Sequence, residues 1–199
     1  MKILLIGAGG TLGQAVTAEL GGRHEIVRVG RSSGDIHADI RDAASVTAMY
    51  RQAGEIDAVV CAAGSVPFLP LADFTEAKYI EGLQDKLLGQ VRLVQAGTAH
   101  VRDGGSFTLI SGVLSDQPIV AGTCASMVNG AIEAFVRAAA IELPRGIRIN
   151  AVSPTVLTES MESYGPFFRG FEPVPAGRAA MAMSKSVEGR QTGQVFRVW

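Results

Sequence analysis

Gly7, Gly10 and Gly13 stand three apart, directly after the apolar run Ile3-Leu4-Leu5-Ile6 and directly before Leu12, Val16 and Leu20, which recur every four residues. A short apolar run, a glycine loop and a four-residue period read as strand, tight turn and helix. Gly7 lets the chain turn sharply, Gly10 leaves the backbone open to a diphosphate, and Gly13 lets the helix pack against the strand. The helix then presents free amides and the positive end of its dipole to that diphosphate. Gly7, Gly9, Gly10, Thr11, Leu12 and Gly13 are therefore the expected diphosphate-binding residues of a dinucleotide site. A bare glycine turn could share the spacing, but here strand and helix flank it as the fingerprint requires.

A chain of 199 residues suits one domain, able to bury roughly 70% of its extended surface. With 47% hydrophobic and 19% charged residues and a net charge of -1, it lacks the basic field that nucleic acid would need. No uninterrupted apolar run approaches the roughly 18 residues of a membrane span. Cys61 and Cys124 have no metal-ligand spacing, and His24, His37 and His100 are scattered singly. The expectation is a cytoplasmic protein with no metal, no membrane and no nucleic-acid partner.

The segment His24 to Val29 alternates as a second strand and ends at Gly30-Arg31-Ser32-Ser33. An acid at this junction would accept from a ribose 2′-hydroxyl, whereas a cation with hydroxyls suits a 2′-phosphate. Arg31, Ser32 and Ser33 favour NADP over NAD, with Asp35 as the competing ribose acid. A short third strand, Ile36 to Ile40, brings Asp39 to the adenine amino group and Ile40 to the ring, unless Asp39 only ends the strand. A helix from about Ala43 to Gln52 follows, capped by Asp42. Asp57 to Cys61 reads as a buried strand, and Ala62, Ala63 and Gly64 leave room at its carboxyl end for a ribose or flat ring.

Thr75 to Ala99 reads as a long helical stretch, broken near Gly82 and Gly89, with Lys86 inside it. Phe107 to Ser111 is a fifth strand, Asn129 to Leu143 an alanine-rich helix stopped by Pro144, and Ile147 to Val152 a sixth strand. From about 158 to 183, prolines and phenylalanines suggest an apolar lid over a small-molecule pocket. Gln194 to Trp199 is a last strand. Strands alternating with helices specify an α/β, single-domain Rossmann fold: a doubly wound, seven-stranded parallel sheet with helices on both faces.

The chain resembles the short-chain dehydrogenase/reductase family in Gly7 to Gly13, Asp39-Ile40, Cys61 to Gly64, Ile110-Ser111-Gly112, the helix ending Ile141-Glu142-Leu143, Ile147 to Pro154 and Gln191 to Gln194. The resemblance implies a nicotinamide-dependent oxidoreductase, a homodimer or homotetramer built on the long helices, with Pro154, Thr155 and Val156 beside the nicotinamide. It also implies a catalytic tyrosine, a lysine four residues on, a serine and an asparagine, and here the chain departs. One register puts Asn129 at the lysine, Ala125 at the tyrosine and Gly112 at the serine; another puts Thr123 at the tyrosine and Met127 at the lysine. Lys86 takes the asparagine position.

Two functions follow. The first is an NADP-dependent oxidoreductase with a rearranged proton donor, in which Lys86 supplies charge or a proton, Ser111 bonds the carbonyl and Asn129 holds the ribose; Tyr164 is a competing donor. Its substrate would be a small carbonyl, alcohol or quinone-like molecule. The second is an inactive NADPH-binding sensor that signals to a partner.

Overall fold

Along the first strand, Leu4 and Ile6 point to one side while Ile3 and Leu5 point to the other, and all four are buried. Side chains alternate across a strand, so a continuous apolar run buries both of its faces and places it inside a sheet covered on two sides. The computed structural model describes all residues 1–199 and bears this out. Its elements run β1 Lys2–Ile6, α1 Thr11–Leu20, β2 Glu25–Gly30, β3 Ile36–His37, α2 Ala43–Ala53, β4 Ile56–Cys61, α3 Glu76–Gly82, α4 Leu88–Gly97, β5 Val101–Ile110, α5 Thr123–Glu142, β6 Arg148–Pro154, α6 Met161–Tyr164, α7 Ala176–Glu188 and β7 Val195–Val198.

The seven strands form one parallel sheet in the order β3-β2-β1-β4-β5-β6-β7. The order reverses between β1 and β4, which opens a crevice beyond their carboxyl ends. One face carries α2, α4 and α5, whose Met49, Tyr50, Leu93, Val128, Ile132 and Val136 pack on Val59, Phe107 and Ile149. The other carries α1 and α7, whose Leu12, Val16, Leu20, Ala179, Ala180 and Met183 pack on Ile3, Leu5, Val60 and Val152. Each such aliphatic side chain contributes roughly 1.5–3 kcal/mol by leaving water.

The differences from the expected elements have local causes. β3 stops at His37 because the Asp39 carboxylate accepts from the Arg41 backbone N–H at 2.9 Å, bending the chain into a turn. Asp42 caps α2 as expected, accepting from Ala44 N and Ser45 N. The long helical stretch breaks near Gly82, where Leu83–Leu87 form a π turn between α3 and α4. α5 begins at Thr123 rather than Asn129 because its buried face starts with Cys124 and repeats at Val128, Ile132 and Val136. By length and composition α5 would also pass for a bilayer span, with a mean hydropathy of 1.3, yet that face lies on the sheet.

Of the segment 158 to 183, expected as a lid, the part from Ala176 onward is α7, with Ala179, Ala180, Met183 and Val187 buried. Proline at the N-cap opened a helix here instead of breaking one.

Candidate active site

The crevice starts at Gly7, which adopts φ +81; a Cβ there would lie 2.8 Å from Ala62 O. Side chains rarely adopt that conformation, so glycine is required by backbone and by space. A Cβ on Gly13 would drive into Gly7 O and Ala8, so Gly13 sets the close approach of α1 to its strand. Gly10 has only ordinary contact around its missing Cβ. It caps α1 without a side-chain bond, leaving the first amides of the helix to a ligand.

A cavity of about 280 Å³ runs along these strand ends, lined by Gly7, Gly10, Arg31, Asp39, Ile40 and the Ala62 to Ser65 segment, among others. Gly9, Thr11, Leu12 and Ser32 do not line it; Leu12 is buried against α7's layer. Ser33, rather than Ser32, turns toward the glycine loop, its Oγ 3.2 Å from where a Gly9 Cβ would stand.

The charges at the adenosine end sort themselves by pairing. Asp35 is bound by Arg28 through Nη2 at 2.8 Å and the backbone N–H at 2.9 Å, which holds its carboxyl down at about 2. It does not line the crevice. Asp39 is bound by Arg41, with Nη2 to Oδ2 at 2.6 Å, and is likewise lowered to about 2. Arg31 lines the crevice while Arg28 and Arg41 hold the two acids. An arginine without an acid partner at this junction fits a 2′-phosphate better than a bare ribose.

A second cavity of about 300 Å³ meets the first at Gly64 and Ser65. It gathers Lys86, Ser111 and Asn129 from three separate elements, with Gly112, Ala125, Pro154, Thr155, Val156 and Tyr164. Thr123 and Met127 do not line it; Thr123 Oγ1 bonds Tyr79 OH at 3.2 Å, and Met127 is exposed. The register with Ala125 and Asn129 is thus the one facing the cavity.

The π turn aims Lys86. Buried Gln90, one turn on, donates to both Lys86 O and Ile110 O at 3.0 Å and accepts from Ile110 N at 2.9 Å, tying the turn to the end of β5. The Lys86 stem then passes over Gly64, where a Cβ would sit 2.7 Å from Lys86 Cγ. Gly64 lines the nucleotide crevice, where a ribose was expected, and also leaves room for this side chain. Lys86 Nζ donates to Asn129 Oδ1 at 2.7 Å and to Ser111 O at 3.1 Å. Both acceptors are neutral, and burial lowers the ammonium pKa to about 8.

Glu133, one turn beyond Asn129 on α5, was not legible as a site residue. It is 4% exposed, and its Oε1 accepts from Ser111 Oγ at 3.0 Å and Ser115 Oγ at 2.7 Å. This carboxylate pins the turn whose Ser111 and Gly112 carbonyls receive Lys86 and Asn129. An acid four residues after a polar residue on an otherwise apolar helix face was the only available signal. Thr155 Oγ1 is buried without a partner on the cavity wall, and Phe68, Phe168 and Leu114 supply apolar cover. Tyr164 is 42% exposed, its ring 5.8 Å from Phe68. Cys124 is buried against α3, with a Gly82 Cβ position 2.6 Å from its Sγ, and burial raises its thiol pKa.

A family model described as enoyl-(acyl carrier protein) reductase matches residues 12–195. The crystal structure of the protein lin1944 from Listeria innocua superposes with a TM-score of 0.99 at 51% identity, covering all of both chains. A small-chain dehydrogenase crystallised in complex with NADPH superposes at a TM-score of 0.89 and 24% identity, covering 100% of this chain and 96% of that one. An uncharacterized oxidoreductase of Methylorubrum extorquens is 33% identical over 136 residues, a match that takes in 65% of this chain and 55% of that relative's length. With the family match extending over nearly the whole chain and the parallel sheet opening its crevice at the glycine loop, the chain belongs to the short-chain dehydrogenase/reductase family.

Proposed function

We propose that the protein is an NADP(H)-dependent oxidoreductase that transfers hydride between the nicotinamide and a small carbonyl, alcohol or quinone-like substrate, with Lys86 as proton donor. The observation that carries this reading is the Lys86 ammonium inside the cavity that joins the nucleotide crevice at Gly64 and Ser65. A bound nicotinamide would supply the hydride; the chain must supply the proton and the orientation. Two of the three Lys86 N–H bonds meet protein oxygens, leaving the third for a substrate oxygen. An acid of pKa about 8 is well matched to protonating an alkoxide near neutral pH.

Asn129 stands where the family's lysine would be and Lys86 where its asparagine would be. Their hydrogen bond keeps amide and ammonium together despite the exchange. Ser111 contributes its carbonyl to Lys86, while its hydroxyl donates a hydrogen bond to Glu133. Arg31 supports NADP over NAD, in line with the NADPH-bound neighbour. The alanine-rich outer face of α5 supports assembly as a homodimer or homotetramer. Ala125, a methyl group at the tyrosine position, favours a second reading, an NADPH sensor without turnover.

The test follows NADPH absorbance against a panel of ketones, aldehydes and quinones, with coenzyme binding measured in parallel. Oxidation of NADPH that depends on Lys86 supports the enzyme. Tight binding with no turnover of any acceptor transfers the case to the sensor.

A further inference from the structure

Lys86 is the only charged side chain lining the second cavity, whose other polar walls are Ser65, Ser111, Asn129, Thr155, Ser160 and Tyr164. Arg28, Arg41, Arg145 and Arg197 pair with Asp35, Asp39, Asp103 and Asp116, whereas Arg148, like Lys86, bonds only neutral oxygens. Lys86 is held only by a backbone carbonyl and an amide oxygen. The acids near it are engaged elsewhere. Asp85, its neighbour in the π turn, accepts from Ser65 N at 3.3 Å and lines the nucleotide crevice. Glu133 accepts from two serines behind the wall. A cation in an apolar cavity without counter-charge is costly unless a ligand provides one.

We infer that this cavity takes a substrate carrying a delocalised oxyanion, a carboxylate or an acidic enol, next to its reducible carbonyl. Lys86 has one N–H without a protein acceptor, which meets the carbonyl oxygen that takes the proton while the ammonium charge offsets the adjacent oxyanion. Asn129 Nδ2 spends one N–H on Gly112 O at 3.3 Å and keeps the other. Two donors on hydrogen-bonded neighbours suit the carbonyl oxygen and the adjacent oxygen of a planar anion. Val66, Phe68, Leu114, Val156 and Phe168 form the rest of the wall, which fits a flat apolar body, and about 300 Å³ limits it to a small cyclic or aromatic acid. The inference rests on the proposed function only in taking this cavity as the substrate site.

Benzoate and benzamide share a shape and differ in charge, so their affinities isolate the anion. Each is titrated calorimetrically into the full chain saturated with NADP, and again without coenzyme. Benzoate should bind about tenfold or more tighter than benzamide at pH 7, the size of a charge-assisted contact. Lys86→Met should abolish that preference while leaving NADP affinity in place, which also reports that the variant is folded. In the unaltered protein the preference should decline as pH rises through about 8, where Lys86 loses its proton. The titratable groups acting on it are the Cys61 and Cys124 thiols, with Asp85 turned to Ser65 N and Glu133 to two serines; burial holds Cys61 up at about 12 and raises Cys124, so neither thiol becomes an anion first. Equal affinities, no benzoate binding, or a preference that survives Lys86→Met overturns the inference. Turnover of neutral ketones with no anion preference would leave the oxidoreductase reading standing alone. Anion binding without hydride transfer to any acceptor would do the reverse.

Discussion

Lys86 Nζ donates a 2.7 Å hydrogen bond to Asn129 Oδ1, joining the π turn before α4 to the middle of α5. The bond sets a cation and an amide side by side in the cavity that meets the nucleotide crevice at Gly64 and Ser65. The bond depends on the open path over Gly64 and on the Gln90 tie to β5.

Removing the ammonium tests its chemical role. Lys86→Met should lower kcat by about 10²–10⁴, the range for loss of a general acid, with little change in NADPH affinity because Lys86 does not line the nucleotide crevice. Steady-state kinetics alongside a coenzyme titration separates the two. An unchanged kcat removes Lys86 from the reaction and turns attention to Tyr164.

The same residue links stability to pH. Its folded pKa of about 8 lies below the ordinary 10.5, so between those values the unfolded chain holds a proton that the folded chain has released. Unfolding free energy from this group therefore rises with pH across the window. Denaturant melts from pH 7.5 to 10.5 should show that rise in the native sequence and a flatter profile in Lys86→Met. Parallel profiles would mean that burial does not shift Lys86.

Coenzyme selectivity is expected to reside in Arg31. Arg31→Ala should weaken NADPH by about 1.5–3 kcal/mol, the value of a hydrogen bond to a charged group, and NADH far less. Equal losses for both coenzymes would contradict the phosphate assignment.

Gly64→Ala places a methyl group 2.7 Å from Lys86 Cγ at a residue with φ +125. Strain of this kind costs on the order of 1–3 kcal/mol, and relief by moving the lysine stem should reduce kcat as well. Thermal melts and kcat should fall together. A loss of stability with unchanged kcat would show that Lys86 does not need its observed path.

Glu133→Leu leaves the Ser111 and Ser115 hydroxyls without their carboxylate acceptor. Because Val152 O at 3.4 Å and Gly112 O at 3.0 Å remain as acceptors, the two losses should together cost about 1–3 kcal/mol, whereas Glu133→Gln keeps an acceptor oxygen and should cost less. Denaturant melts of the two variants measure the difference. Similar losses in both would assign the burial cost to shape and not to the hydrogen bonds.

The sequence alone determined the sheet, the crevice and the kind of ligand it could hold. Those properties come from short-range causes: alternating burial along Ile3 to Ile6, glycines where a Cβ would strike Gly7 O or Ala62 O, and a helix opening without a cap side chain. It also marked Lys86, Ser111 and Asn129 separately. Only the tertiary structure decided what they do to one another, because their hydrogen bonds span 25 and 43 residues of chain and depend on how α4 and α5 pack on β5. It engaged the Ser111 hydroxyl with Glu133, gave Gly64 to the Lys86 stem, assigned Asp35 to Arg28, and made a helix of the residues after Pro175. Local pattern sets which backbone a segment can adopt, but the partner of a charged or hydrogen-bonding side chain is chosen by distance in the folded state, which sequence spacing does not encode.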